Sequence, residues 1–183
     1  MTARVSPHER WLEMAREHPE LHEFLSGLRP GEVLSGTVAA VENFGVFVRL
    51  DKGPAHPVFP GVGFVTWPEV TWRHVDDLSE AVRTGERITG EFLQYDTWNM
   101  EARLSLRALQ PDPFQAFADI TTNGQELHGP VTKVVPFGVF VQIADGVEGL
   151  VPDVDLAVGD EVSVVVTEID RERRRVVLAS GRG

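Results

Sequence analysis

The five-residue stretch Phe-Gly-Val-Phe-Val occurs twice in this 183-residue chain. Its first copy spans residues 44–48 and its second spans residues 137–141, 93 positions later. At that offset, 10 of the 18 residues from 31 to 48 are identical to their counterparts. Similarity at a fixed offset is an internal repeat, and it predicts two copies of one small domain.

Each repeat shows the pattern of five short strands, because β-branched and aromatic runs alternate with glycine. In the first copy the strands are predicted near residues 32–42, 45–50, 62–66, 86–95 and 101–107. In the second copy they are predicted near residues 125–135, 138–143, 148–151, 160–169 and 174–180. Five strands in this arrangement match the partly open Greek-key barrel of the OB-fold. The predicted fold is mainly β, with two tandem five-stranded barrels after a short N-terminal helical segment.

The segments outside the barrels are predicted to be helical. Ser6, Pro7 and Glu9 form the signature of a capped helix start, and a second short helix precedes Pro30. We expect both helices to pack on the first barrel, because isolated helices this short need tertiary contacts. The predicted organisation has four segments: helices 1–30, a first barrel 31–109, an ordered linker 110–123 and a second barrel 124–183.

The linker is predicted to contain a short helix, and the second barrel has a shortened connection. Asp112 and Pro113 mark the start of a short helix in the linker, and Phe114 and Phe117 share one face of it. The connection after the third strand has 22 positions in the first copy and only 10 in the second, counted between matching glycines. Something else must therefore support the second barrel, and the linker and the N-terminal helices are the candidates.

The charge of the chain limits the kind of partner it attracts at long range. The net charge is −11, and each of the four segments carries more acidic than basic residues. Any affinity for nucleic acid must therefore come from local contacts rather than from a basic surface. There is no apolar run of membrane-spanning length, no apolar core of a secretory signal and no cysteine. We expect a cytoplasmic protein with no membrane partner.

No group of residues predicts catalysis. His18 and His22 are four apart, but Pro19 interrupts the helix that would align them as metal ligands. Acidic pairs such as Asp76 and Asp77 lie in polar connections, where turn and capping roles are more usual than acid–base chemistry. We expect no enzyme activity, no metal, no cofactor and no small-molecule substrate.

An ordered set of motifs resembles the S1 family of RNA-binding domains. In the second repeat these motifs are Gly129-Pro130-Val131, the stretch 137–141, Gly149-Leu150-Val151, Gly159-Asp160, and Asp170 followed by Arg175 and Leu178. The first repeat has Gly36-Thr37-Val38, the stretch 44–48, Gly63-Phe64-Val65, Gly85-Glu86, and Asp96 followed by Arg103 and Leu104. The resemblance covers residues 31–109 and 124–183 and implies binding of single-stranded RNA.

The resemblance also implies the site residues. The paired rings are Phe44 and Phe47 in the first copy and Phe137 and Phe140 in the second, and the Asp–Arg pairs are Asp96 with Arg103 and Asp170 with Arg175. Arg49, Lys133 and the arginines at 171, 173, 174 and 175 are candidates for phosphate contacts. The alternative for the arginine cluster is a solvated hairpin tip. A longer hairpin in the first copy is expected to shift Arg103. The His that the family places after its Gly-Leu-Val motif is replaced by Thr66 and Pro152.

Alternation along the strand predicts which way the rings face. If Val46 and Val48 fill the barrel, Phe47 points to solvent, and a bulge at Gly45 would bring Phe44 to the same side. Two exposed rings form a stacking platform for unpaired bases. The alternative is that other parts of the chain cover them. The Pro-rich loop 53–60 is one segment that can overhang the rings of the first copy, and Trp98 is expected to be exposed at a hairpin tip.

Two functions from different classes remain open at this point. The first is a non-enzymatic protein that binds single-stranded RNA in translation or RNA processing, with the ribosome or another protein as a possible partner. The second is an interaction module or dimerising adaptor that uses the barrels without binding RNA. The charge of −11 and the absent His in both copies favour the second function, and the doubled ring pair favours the first.

Overall fold

The computed structural model of the protein describes residues 5–181. The chain divides into two compact units, residues 1–110 and 111–183. Each unit contains one closed five-stranded barrel, so the predicted mainly β fold is confirmed. In the described part of the chain, no helix has both the length and the apolar character needed to cross a bilayer.

Two helices begin the first unit. Helix α1 (Pro7–Glu17) starts with the predicted capping box, in which the Ser6 side chain accepts from the Glu9 N–H and the Glu9 carboxylate accepts from the Ser6 N–H. Helix α2 (Pro19–Ser26) buries Leu21 and Leu25 in the core of the barrel. The predicted packing of these helices on the first barrel is confirmed.

The first barrel is closed in the order β1-β2-β3-β5-β4. Its strands are β1 (Val33–Glu42), β2 (Gly45–Leu50), β3 (Gly63–Thr66), β4 (Arg87–Asp96) and β5 (Glu101–Ser105). The long connection between β3 and β4 contains two short 3-10 turns, Trp67–Glu69 and Leu78–Glu80. Val70, Leu78 and Val82 from this connection are buried in the barrel core. The connection therefore contributes part of the apolar interior that stabilises this barrel.

The second barrel is closed in the order β6-β7-β8-β10-β9. Its strands are β6 (Glu126–Val135), β7 (Gly138–Ala144), β8 (Val147–Pro152), β9 (Glu161–Asp170) and β10 (Arg175–Ser180). Helix α3 (Pro113–Ile120) begins at Asp112, whose carboxylate accepts from the Phe114 N–H as predicted. Phe114, Phe117 and Ala118 enter the core of this barrel. The linker helix thus supports the barrel that has the short connection.

The last hairpins of the two barrels have the same length. Asp96 pairs with Glu101 across the turn 97–100, and Asp170 pairs with Arg175 across the turn 171–174. Both turns end on a residue with positive φ, 54° at Met100 and 55° at Arg174. The prediction of a longer first hairpin is therefore wrong. The residue of the first barrel that corresponds to Arg175 is therefore Glu101. Arg103 corresponds to Val177, because Arg103 pairs with β3 and Val177 pairs with the equivalent strand β8.

Candidate nucleic-acid interface

The doubled motif places its rings on the outer surface of each barrel. Val46 and Val48 are fully buried inside the first barrel, so Phe47 lies on the opposite face of β2 as predicted. Phe44 lies in the turn before β2, with its ring centroid 6.1 Å from that of Phe47 in an edge-on arrangement. The predicted bulge at Gly45 is wrong, because the irregular pairing occurs in β1 between Val38 and Ala40. The turn itself brings the two rings together.

Phe47 is nevertheless covered, with only 7% of its surface exposed. Phe59 stacks on it at a centroid distance of 5.5 Å with the ring planes 26° apart, and Phe64 lies 5.0 Å away. The expectation that Phe47 faces solvent is wrong, and the predicted overhang of loop 53–60 is confirmed. Phe44 remains 57% exposed. In the first barrel, Phe59 covers the Phe47 ring, on which the family motif would lead us to expect a base to stack.

His56 fastens this loop over the ring. Its Nε2 lies 2.8 Å from the Asn99 carbonyl oxygen, and its Nδ1 accepts from the N–H groups of Val58 and Phe59 at 3.1 and 2.9 Å. These partners require a neutral imidazole with its proton on Nε2. Burial lowers the pKa of His56 from its usual value, which favours the same neutral form. The imidazole also lies 4.8 Å from the Phe59 ring and so holds it in place.

The charged residues beside this ring cluster are already paired. Arg103 lies 2.6 Å from Asp96 through Nη2, and its guanidinium lies 4.9 Å from the centre of the Phe64 ring. Glu101 is 3% exposed, with its Oε2 3.7 Å from Arg103 Nε. Burial raises the pKa of Glu101 to about 7 against the opposing effect of the Arg103 charge. Arg103 therefore interacts with two carboxyl groups. Arg49 is exposed on the outer face of β2 and is more accessible to a ligand than Arg103.

The second barrel presents the same motif without a cover. Phe137 lies in the turn before β7 and is 58% exposed, while Phe140 is half-buried. Strand β7 ends at Ala144 and β8 begins at Val147, so no loop comparable to 53–60 lies between them. Lys133 is exposed and pairs directly with Phe140 in the β6–β7 ladder. The surface at the start of β7 therefore combines the exposed ring of Phe137, the half-buried ring of Phe140 and the charge of Lys133.

The Asp–Arg pair of the second barrel differs from that of the first. Asp170 and Arg175 are partners in the β9–β10 ladder, but the Asp170 carboxylate accepts from the Arg173 N–H at 3.0 Å. Between residues 5 and 181, neither Lys133 nor Arg175 is held in an ion pair within 4.0 Å. Arg175 is exposed, so it can contact a ligand without first breaking an internal salt bridge.

Two of the four clustered arginines stabilise the linker helix. Arg171 Nη1 lies 2.8 Å from Asp119 Oδ1, and Arg174 binds Asp112 while its guanidinium lies 5.2 Å from the centre of the Phe114 ring. Arg173 and Arg175 remain exposed. At this hairpin tip, Arg171 and Arg174 therefore bind the linker helix or its cap, and Arg173 and Arg175 are exposed to solvent.

Sequence reasoning missed several residues of the first site. The loop 53–60 that contains His56 and Phe59 is predicted, but the roles of these two side chains are not. Glu101 and Phe64 also belong to the site, and Phe64 pairs with Phe47 in the β2–β3 ladder. Its ring rests against Gly45, where any side chain would collide with it. Among the described residues, no group of His, Cys, Asp or Glu is arranged to hold a metal ion.

Comparison with known families agrees with this geometry. The family model described as the S1 RNA binding domain matches residues 28–107 and 121–181. The chain belongs to this family. Helices α1 and α2 both lie outside the matched S1 residues. Within the S1 pattern, the second barrel keeps the open ring pair and the Asp–Arg hairpin, and the first barrel has a Glu where the second has Arg175.

The relatives of this S1 protein are longer chains. The small ribosomal subunit protein bS1 of Mycobacterium tuberculosis is 40% identical over 182 residues, which cover 92% of this chain and 36% of that protein. The protein of the same name in Rickettsia conorii is 29% identical, with coverage of 86% and 28%. The chain therefore spans about a third of the length of the curated relatives it matches.

Solved structures show partial similarity. The a/eIF2alpha-aDim2p-rRNA complex from Pyrococcus horikoshii contains a chain that is 24% identical with a TM-score of 0.38, covering 50% of this chain and 52% of that one. GSP13 from Bacillus subtilis is 25% identical with a TM-score of 0.37, covering 52% and 73%.

Proposed function

We propose that this S1 protein binds single-stranded RNA without catalysing a reaction, and that the second barrel makes most of the contact. The observation that carries the proposal is the open surface at the start of β7, where Phe137 in the preceding turn is 58% exposed and Phe140 pairs with the exposed Lys133. Aromatic rings on a barrel face stack with unpaired bases at about 1–3 kcal/mol per base and with little sequence preference. Lys133 beside Phe140 and the exposed Arg175 at the start of β10 supply the phosphate contacts that the net charge of −11 does not.

The names of the relatives support a role in translation. Proteins named small ribosomal subunit protein bS1 match almost the whole chain, so we place its action on RNA at or near the ribosome, in the cytoplasm. The residues proposed for RNA contact are Phe137, Phe140, Lys133, Asp170 and Arg175, with a smaller share for Phe44 and Arg49. Phe47, Asp96 and Arg103 are proposed as the support of the first site, because they are covered or paired.

Titration of a labelled RNA tests this proposal. We would follow the fluorescence anisotropy of an unstructured RNA of about 20 nucleotides, long enough for two barrels. Phe137→Ala is expected to weaken binding about tenfold, since one stacking contact is lost. Phe44→Ala is the matched comparison, because Phe44 occupies the same motif position with nearly the same exposure, and it should weaken binding less than Phe137→Ala. Wild-type affinity in both Phe137→Ala and Phe140→Ala would overturn the proposal.

A role in protein association is the second candidate. Val134 and Phe137 are 51% and 58% exposed at the β6–β7 turn, and exposed apolar groups of this kind also occur at protein interfaces. Size-exclusion chromatography with and without RNA separates the two functions. A stable dimer that ignores RNA favours association, and a monomer whose elution shifts on adding RNA favours RNA binding.

A further inference from the structure

We infer that a groove between helix α1 and the β4–β5 turn of the first unit is a second stacking site for an unpaired RNA base. The groove measures about 350 Å³ and is lined by Pro7, His8, Trp11, Thr97 and Trp98. This volume falls within the range of about 300–1,000 Å³ in which small ligands bind. The inference rests on the proposed RNA binding but concerns residues that lie partly outside the S1 match.

The walls of the groove are aromatic rings carried by segments that are hydrogen-bonded to the barrel. The Trp11 indole N–H donates to the Tyr95 hydroxyl at 3.3 Å, and the His8 ring stacks on Trp11 with centroids 5.9 Å apart. On the other side, the Trp98 backbone N–H donates to the Asp96 carboxylate at 2.9 Å. Because both walls are anchored to the barrel, a base can stack without ordering a mobile segment first.

Trp98 is open to a ligand. Its side chain is 49% exposed, and the Arg10 guanidinium lies 5.5 Å from the centre of its ring. In the described part of the chain, its indole N–H makes no hydrogen bond to protein, so a donor is available to a base. Trp is the ring that attracts cations most strongly, and about half of the Trp98 surface remains exposed beside Arg10.

The charges around the groove favour a base over a phosphate. Among residues 5–181, no carboxylate lines the groove itself, whereas Glu13 and Glu17 line the adjoining hollow together with Arg10 and Trp98. Those carboxylates repel phosphate, so binding here comes from stacking. The β4–β5 loop is also the loop with which OB-folds border their oligonucleotide face. A planar base fits these constraints, with its phosphate directed to solvent.

Intrinsic tryptophan fluorescence provides a direct test, because all four tryptophans lie in residues 1–110. We would titrate the full chain with the unstructured RNA of about 20 nucleotides. We expect the RNA to quench this fluorescence and Trp98→Ala to remove most of the quench. Trp98→Ala should also weaken binding about tenfold, while the dependence of affinity on salt stays unchanged, since no phosphate contact is lost.

Two variants make the result specific. Trp98→Phe keeps a ring, so it should retain affinity within about twofold while losing the quench. Leu109→Ala removes an apolar side chain of similar exposure, 45%, and should change neither signal. Wild-type affinity and quench in Trp98→Ala, with RNA still bound by the chain, overturn this inference alone. Failure of the wild-type chain to bind RNA would overturn the proposed function and this inference together.

Discussion

Phe59 stacks on Phe47 in the first barrel, with ring centroids 5.5 Å apart and planes inclined by 26°. A base on an S1 barrel would need the same surface of Phe47, so the two barrels cannot offer equal sites. The matching ring of the second barrel, Phe140, has no loop over it, because β7 and β8 are joined by a two-residue turn, residues 145–146.

Removing the cover is expected to restore the first site. In a chain whose second site is weakened by Phe137→Ala, the further change Phe59→Ala should raise RNA affinity by roughly five- to tenfold, because it uncovers Phe47 for stacking. Anisotropy titration measures the change. Val58→Ala is the control, since Val58 is 71% exposed in the same loop and covers no ring. Equal affinities with and without Phe59 would contradict the prediction.

His56 should make the packing of loop 53–60 over Phe47 sensitive to acid. Burial lowers its pKa in the folded state, so the unfolded chain takes up the proton first as the pH falls below the usual value of about 6.5. The contribution of His56 to the stability of the first unit is therefore fully present above that pH and declines below it. An NMR titration of the His56 ring measures the pKa directly. A value at or above 6.5, or the same acid decline in His56→Ala, would be inconsistent with the neutral clamp.

The titration of Glu101 is expected to change stability with pH in the direction opposite to that of His56. Its pKa of about 7 lies above the unfolded value of 4.5, so the folded state holds the proton more tightly and stability decreases as the pH rises from about 4.5 to 7. Glu101→Gln should therefore raise the unfolding free energy at pH 8 by roughly 1–3 kcal/mol and leave it nearly unchanged at pH 4. Urea unfolding followed by tryptophan fluorescence measures this.

The matched control for Glu101 is Glu42→Gln at the exposed end of β1. It should leave the pH dependence as in the wild type. If Glu101→Gln shows the wild-type decline between pH 4.5 and 7, another group must be responsible for it.

Helix α3 should be necessary for the second barrel. Phe117 is 6% exposed in the core of this unit, so Phe117→Ala is expected to cost about 3–5 kcal/mol. Ile120→Ala on the same helix, at 82% exposure, should stay within about 0.5 kcal/mol. Far-ultraviolet circular dichroism reports both units, whereas tryptophan fluorescence reports only residues 1–110. The dichroism transition should shift while the fluorescence transition stays in place.

Much of the fold could be predicted because its signals are local. The capping box at Ser6 and Glu9 and the helix start at Asp112 depend on residues three apart or fewer, and both are confirmed. The strands lie within a few residues of their predicted positions, since alternation along a strand is set by the pleat. The position of Arg103 was not predictable from its motif, because strand pairing, rather than motif spacing, places Glu101 opposite Asp96.

The doubled Phe-Gly-Val-Phe-Val shows where sequence stops being sufficient. Together with the ordered motifs around it, this stretch determined the family, and by itself it determined the inward valines and the outward face of the rings, because these follow from the identity and alternation of neighbouring residues. Only the tertiary structure decided that Phe47 is covered and that Phe137 is open. The physical reason is that the exposure of a side chain depends on atoms from other parts of the chain, here Phe59 and Phe64. Two identical five-residue segments do not specify which residues pack against them.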